Sequence, residues 1–383
     1  MIVELAILNL NAGLYLNQYG GSLVKVTESI NLGRGFTAKN RTLLAAMTNK
    51  QSNSDGTLSN EEIKWLVRRG QGGFGITTTA AANVTKEGQG WDGEMGVWSD
   101  NQIPGLTKLS TMLNQTGTIS LVQLFHGGMR APQRITGVRP ISASENTEAG
   151  MDGVYTKAMS ETEIISMIKS FTDAAIRCKK AGFHGVELHG AHSYLICQFL
   201  GQETNRRSDK WGGDIVGRSR FLREIIRSVR SAVGEDFLIA VRISPIIEKA
   251  GIYLEDSLEL AKIICELEID MLHISCWDVF QSVGDGDDTS ITKRFRQILP
   301  KTTPLISTGA VWDAKDAQWL TNEGADIVGV ARVGIGHPDW ADRLSESNYQ
   351  PQRPPFSVEH LANADLSPVF IEYMKRWKNF VDG

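Results

Sequence analysis

Eight short apolar runs, each followed by a stretch with helical periodicity, recur in order along the chain. The runs are TLLAAMT at 42–48, FGITTT at 74–79, TISLVQL at 118–124, GVELH at 185–189, FLIAVRI at 237–243, DMLHIS at 270–275, PLIST at 304–308 and DIVGV at 326–330. Each is nearly continuous in apolar character, as parallel strands covered on both faces are. The clearest helix is expected over 160–180. Ser160 and Glu163 form an S-x-x-E capping box, and Ile164, Met167, Ile168, Phe171, Ala174, Ala175 and Cys178 follow at helical spacing. Gly182 stops that helix just before the next strand. Eight β-then-α units in sequence predict an α/β fold, a closed (β/α)8 barrel (TIM barrel) forming a single domain. The competitor is a doubly wound sheet, but no G-x-G-x-x-G follows a strand.

The barrel is expected over 23–350 of the 383 residues. Residues 1–22 form an N-terminal extension of unknown role; a non-native extension or an extra strand on the barrel surface would suit them. Residues 351–383 read as a C-terminal helical tail packed on the barrel, opening with PQRPPF. The polar, Gly-rich segment 130–158 reads as a loop over the barrel mouth. The formal net charge is −4, with no long basic run, which disfavours nucleic acid as a partner. No apolar run reaches the roughly 20 residues that span a membrane, and the first residues lack the basic start of a signal peptide. The four cysteines make no C-x-x-C pair and read as reduced thiols of a cytoplasmic protein, with no metal site. The expected partner is a small-molecule substrate, with a homo-oligomer left open.

Chemistry in such barrels sits at the carboxyl ends of the strands. The polar residues there are Thr48, Gln123, His189 with His192 and Tyr194, Arg242, Ser275, Gly309 and Arg332. These donors and cations suit an anionic, hydrogen-bonding ligand. The absence of a carboxylate cluster disfavours magnesium-dependent and glycosidase chemistry. The absence of a strand-end lysine disfavours Schiff-base chemistry. His189, His192 and Tyr194 form the informative group: two imidazoles can hold one carbonyl oxygen, and a phenol can give a proton. His126 reads as a structural or supporting residue, and His184 as a solvent-side loop residue.

Several ordered motifs now resemble one family. HGAHSYLICQFL followed by ETNRRSDKWGG is similar to the HGAHGYLL-QFL and N-x-R-x-D-x-YGG pattern of the old yellow enzymes. NRTLLAAMT, VQLFHGGMR, AVRIS, STGA and GVAR match further segments in the same order, over roughly 25–345. The resemblance implies non-covalent flavin mononucleotide (FMN), with NADH or NADPH as hydride donor. It implies reduction of the C=C bond of α,β-unsaturated carbonyl compounds or related electron-poor alkenes. Alternatives are another acceptor, such as oxygen or an imine, or a flavin-binding protein without alkene turnover.

Position by position, the resemblance implies that Thr48 and Ala81 flank the flavin O4/N5 edge. Gln123 would meet its pyrimidine side, and Arg242 its N1/O2 side. Gly309, Ala310, Ala331 and Arg332 would hold the phosphate. His189 and His192 would bind the substrate oxygen, and Tyr194 would give the proton. Gln123 capping a strand and Arg242 pairing with Glu187 are the structural alternatives. The family's GG turn is STGA here, its GR is Ala331-Arg332, its ENR is Val216-Gly217-Arg218, and Trp211 replaces a Tyr. Lys50 stands where some members place a Tyr that touches substrate, and a cation there points substrate choice toward acidic groups. No Cys follows Cys276, so the iron–sulfur segment of longer relatives is not expected.

Overall fold

A computed structural model describes residues 25–147, 155–284, 286–346 and 349–382. The eight expected runs form eight barrel strands: β1 (Thr42–Leu44), β2 (Ile76–Asn83), β3 (Ile119–Phe125), β4 (Gly185–Gly190), β5 (Leu238–Ile243), β6 (Met271–Ser275), β7 (Leu305–Thr308) and β8 (Ile327–Val330). Their order around the sheet is β1-β8-β7-β6-β5-β4-β3-β2, and a β1–β2 pairing closes the ring. Every pairing in it is parallel. Helices α1 (Asn60–Gln71), α2 (Ile103–Asn114), α3 (Glu161–Lys180), α4 (Arg220–Val233), α5 (Leu254–Cys265), α6 (Ile291–Ile298) and α7 (Ala314–Asn322) connect successive strands. The (β/α)8 barrel expected from the alternation is therefore the observed fold.

Capping and periodicity act locally as the sequence predicts. Ser160 accepts from the Glu163 N–H, and Glu163 answers to the Ser160 N–H. The α3 face carrying Ile164, Met167, Phe171, Ala174, Ala175 and Cys178 is buried. Each large apolar side chain buried this way contributes about 1.5–3 kcal/mol. Inside the barrel a second cluster, with Leu43, Ile76, Ile119, Leu121, Leu238, Ala240, Met271, Ile306 and Ile327, fills the lower half. An antiparallel hairpin, Ile30–Gly33 with Phe36–Ala38, sends Ile30, Leu32 and Ala38 into that cluster and closes the bottom. Chemistry is thereby confined to the other end.

Two boundaries and one side chain differ from the sequence expectation. β1 stops at Leu44, with one further bond from the Ala45 N–H to the Val330 carbonyl at 2.9 Å; the Ala46 carbonyl then faces Arg242 Nη1 at 3.4 Å. β2 runs on to Asn83, with an irregularity between Thr78 and Ala81 where it pairs with β3; such bulges re-aim side chains beside sites. His184, expected on the solvent side, is a half-buried loop residue: its Nδ1 accepts from the Ser120 N–H at 3.0 Å, and its ring meets Phe36 edge-on at 5.2 Å.

Beyond residue 350, helix Val358–Asn363 lies against the short helix Arg332–Gly336, and helix Pro368–Met374 reaches α1. Phe370 meets Trp65 at 5.3 Å. The buried Arg69 donates to the carbonyls of Gly334, Ile335 and Ala364, joining α1, the short helix Arg332–Gly336 and the tail. Residues 1–22 lie outside the described residues. Among the described residues, no helix is long and apolar enough to cross a membrane.

Candidate active site

The loop after β4 turns sharply. His192 and Ser193 both have left-handed backbones, with φ of 59° and 60°. Two such non-glycine residues in a row are costly and occur where a site over-determines the chain. The turn throws His189, His192 and Tyr194 together. The His189 and His192 ring centroids lie 5.0 Å apart at 90°, and Tyr194 is 5.1 Å from His189. Tyr194 caps the short helix Leu195–Leu200, whose first N–H donates to the His126 carbonyl at 3.0 Å. Phe125 packs edge-on against Tyr194 at 4.4 Å, and the Arg130 guanidinium lies 4.8 Å from the Tyr194 ring centre.

Neighbouring bonds decide which ring nitrogens are free to donate. His189 Nδ1 faces the Ala191 N–H at 3.3 Å and accepts from it, which leaves its proton on Nε2. His192 Nε2 lies 2.9 Å from Ser275 Oγ, which already accepts from Arg242 Nη2 at 2.9 Å. The serine proton then goes to His192 Nε2 and leaves Nδ1–H as the free donor. Burial, with Arg242 and other cations nearby, pushes both histidines well below their ordinary pKa. Both are neutral donors near neutral pH.

Beneath them runs a closed polar network. Glu187 Oε2 accepts from Gln123 Nε2 at 2.5 Å, and Glu187 Oε1 from His273 Nδ1 at 2.6 Å. His273 Nε2 in turn meets Thr308 Oγ1 at 2.7 Å. Burial alone would raise the Glu187 pKa, but His273, Arg242 and Gln123 outweigh it and hold the carboxylate ionised. Thr308 reaches inward because Gly329 on β8 has no side chain; a Cβ there would lie 1.8 Å from Thr308 Oγ1. Gln123 is thus anchored by Glu187, whereas Arg242 bonds to Ser275 and reaches across the mouth toward Ala46.

The remaining expected positions fall as follows. Ala81 is the register partner of Gln123 across β2 and β3. Thr48 and Lys50 lie in the loop beyond β1, and Lys50 points its ammonium at the Tyr373 ring, 5.5 Å away. Gly309 and Ala310 follow β7; Ala331 and Arg332 follow β8, its register neighbour. Among the described residues, no turn, loop or side-chain hydrogen bond uses the N–H groups of Ala310 and Ala331. A Cβ on Gly309 would strike the Cys276 carbonyl at 2.5 Å. Arg242 Nε is buried without a partner. Free backbone donors after strands seven and eight suit one phosphate. An orphaned guanidinium N–H above a polar barrel top suits the flat acceptor edge of a flavin. The donor set therefore fits flavin mononucleotide.

Sequence reasoning missed His273, Arg130, and the apolar wall made by Phe125 and Trp91. A signal was present for some of them. Glu187 and His273 stand two residues before His189 and Ser275, so they share the same inward strand faces. Among the described residues, no three His, Cys, Asp or Glu side chains gather as a metal site.

Comparison with known proteins agrees with this geometry. Residues 26–350 match the NADH:flavin oxidoreductase / NADH oxidase family. A probable NADH-dependent flavin oxidoreductase, YqiG of Bacillus subtilis, is 33% identical over 327 residues, covering 83% of this chain and 87% of that protein. An NADH:fumarate oxidoreductase of Klebsiella pneumoniae is 30% identical over 84% of this chain, but only 36% of that longer protein is covered. The structure of an old yellow enzyme homologue from Zymomonas mobilis superposes with a TM-score of 0.77 at 26% identity, covering 88% of this chain and 96% of that one. The chain belongs to the NADH:flavin oxidoreductase / NADH oxidase family and is an FMN-dependent, NAD(P)H-linked oxidoreductase of the old yellow enzyme type.

Proposed function

We propose that the chain reduces the C=C bond of α,β-unsaturated carbonyl compounds and related electron-poor alkenes. The observation that carries this reading is the trio of His189, His192 and Tyr194, two neutral imidazole donors at right angles beside a phenol. Two N–H donors converging on one oxygen stabilise the negative charge that a conjugated carbonyl gains as its β-carbon accepts hydride. The phenol of Tyr194 then supplies the proton to the α-carbon. Bound FMN supplies the hydride equivalent, taken from NADH or NADPH.

In this reading Thr48 and Ala81 contact the edge of the flavin, while Gln123 and Arg242 hold its pyrimidine end. Gly309, Ala310, Ala331 and Arg332 bind its phosphate. Gln123, with its amide N–H2 committed to Glu187, keeps its carbonyl for a flavin N–H. Arg242 brings a fixed cation that favours anionic reduced flavin. The flavin unit spans 23–350, and 351–383 is a tail that borders it. Anaerobic stopped-flow tests the reading: NADH or NADPH reduces the flavin, and cyclohexenone reoxidises it. Tyr194→Phe is expected to slow reoxidation by roughly a hundred-fold or more while leaving reduction near wild type. Equal slowing of both half-reactions refutes the proton-donor role. Reoxidation by oxygen but by no alkene refutes the reductase reading.

A further inference from the structure

Two residues past Thr48, at the same end of the barrel, a cavity of about 680 Å³ opens between the loop after β1 and the tail helix Pro368–Met374. Lys50, Pro368, Val369, Glu372, Tyr373 and Arg376 line it. All but Lys50 lie beyond residue 350, where the family match ends. The recess is open to solvent, and half of its six lining residues are charged.

The charges are arranged. Lys50 Nζ lies 5.5 Å and the Arg376 guanidinium carbon 5.3 Å from the centre of the Tyr373 ring, so one aromatic ring seats two cations. Arg376 also lies 5.8 Å from the Trp377 ring. Neither cation has a carboxylate partner among the described residues. Glu372, the acidic group of the lining, pairs with Lys375 at 2.8 Å, which leaves the cavity net positive. Lys50 is held from behind: its φ is 58°, and Gly93 packs so closely that a Cβ there would lie 2.3 Å from the Lys50 carbonyl. Two residues before Gly93, Trp91 packs against Tyr194 at 6.4 Å. The loop that seats Lys50 therefore also walls the site of proton transfer.

We propose that this cavity is an anion subsite for the acceptor. A carboxylate or phosphate on the far end of the substrate lies between Lys50 and Arg376, and an apolar arm packs on Val369 and Tyr373. The inference rests on the alkene-reductase reading and adds the substrate class: electron-poor alkenes carrying a remote anionic group.

A matched pair of acceptors tests it, cinnamaldehyde and 4-carboxycinnamaldehyde, which differ in one charge. With holoenzyme, the ratio of their KM values in flavin reoxidation should favour the acid. Lys50→Gln and Arg376→Gln should each cut that preference about five-fold, and added salt should shrink it. Lys378→Gln, which removes a tail cation outside the lining, should keep the wild-type ratio. Reduction of both aldehydes with the same ratio in all variants overturns the subsite and leaves the reductase reading standing. A change confined to the KM for NADH also overturns it, in favour of the dinucleotide. If neither aldehyde reacts, the reductase reading fails. The subsite is then judged by titrating oxidised holoenzyme with 4-hydroxybenzoate and 4-hydroxybenzamide, followed by flavin absorbance. A preference for the benzoate that the two variants lower supports the subsite, and no preference overturns it.

Discussion

Replacing Ser275 by alanine removes one oxygen, yet two side chains should feel it. Ser275 Oγ lies 2.9 Å from Arg242 Nη2 and 2.9 Å from His192 Nε2. Arg242 Nε already lacks a partner, so the guanidinium would keep only its 3.4 Å approach to the Ala46 carbonyl. His192 would lose the group that places its proton on Nδ1. An imidazole free to choose between two tautomers presents the needed N–H about half the time, roughly 0.4 kcal/mol as RT ln 2. The lost orienting bond adds about 0.5–1.5 kcal/mol. Together they predict about 1–2 kcal/mol, or roughly five- to thirty-fold weaker binding of a phenol-type ligand that mimics the enolate oxygen. The assay is titration of oxidised holoenzyme with 4-hydroxybenzaldehyde, read from the flavin absorbance. Ser275→Thr keeps the hydroxyl and suits a strand, so it should retain most of the affinity. Wild-type affinity in Ser275→Ala, with a large loss in His192→Ala, would show that the Arg242–Ser275 link does not set the His192 tautomer.

Three further outcomes are expected. Glu187→Gln removes the buried carboxylate charge, so the bonds to Gln123 and His273 are no longer charge-assisted; unfolding free energy should fall by about 2 kcal/mol and FMN should be released more readily. An unchanged urea midpoint with unchanged flavin retention would contradict it. Ser193→Gly relieves a φ of 60° where the family pattern has glycine, and should stabilise the protein by about 0.5–1 kcal/mol after the extra unfolded-state entropy; a lower Tm would count against it. Stability should also fall as pH drops below 6.5. Burial lowers His126 to about 3, so the folded state keeps it neutral while the unfolded chain takes up the proton. By pH 5 that one histidine costs about 2 kcal/mol, and His189, His192 and His273 shift in the same direction. Equal urea midpoints at pH 7.5 and pH 5 would refute this.

The sequence by itself determined the barrel. Its strands are buried on both faces, so each is a short apolar run, and its helices are amphipathic, so each carries one apolar stripe; both patterns are local and survive in one dimension. The carboxyl-end rule then converts strand order into a set of mouth residues without any coordinates. That is why Gln123, His189, Arg242 and Ser275 could be named in advance. Thr48 was harder to place, because β1 ends at Leu44 and Thr48 lies in the loop beyond it. The tertiary structure alone decided how the mouth is wired. Gln123 and Glu187 are 64 residues apart, Glu187 and His273 86, and Arg242 meets Ser275 across 33. Hydrogen bonds between strands that are neighbours only in the closed ring leave no periodic trace in the chain. The same holds for Lys50 and the tail helix. A surface cation and a distant amphipathic segment look unrelated until folding sets Tyr373 beneath the ammonium, because a contact between separate elements depends on where the whole barrel places them.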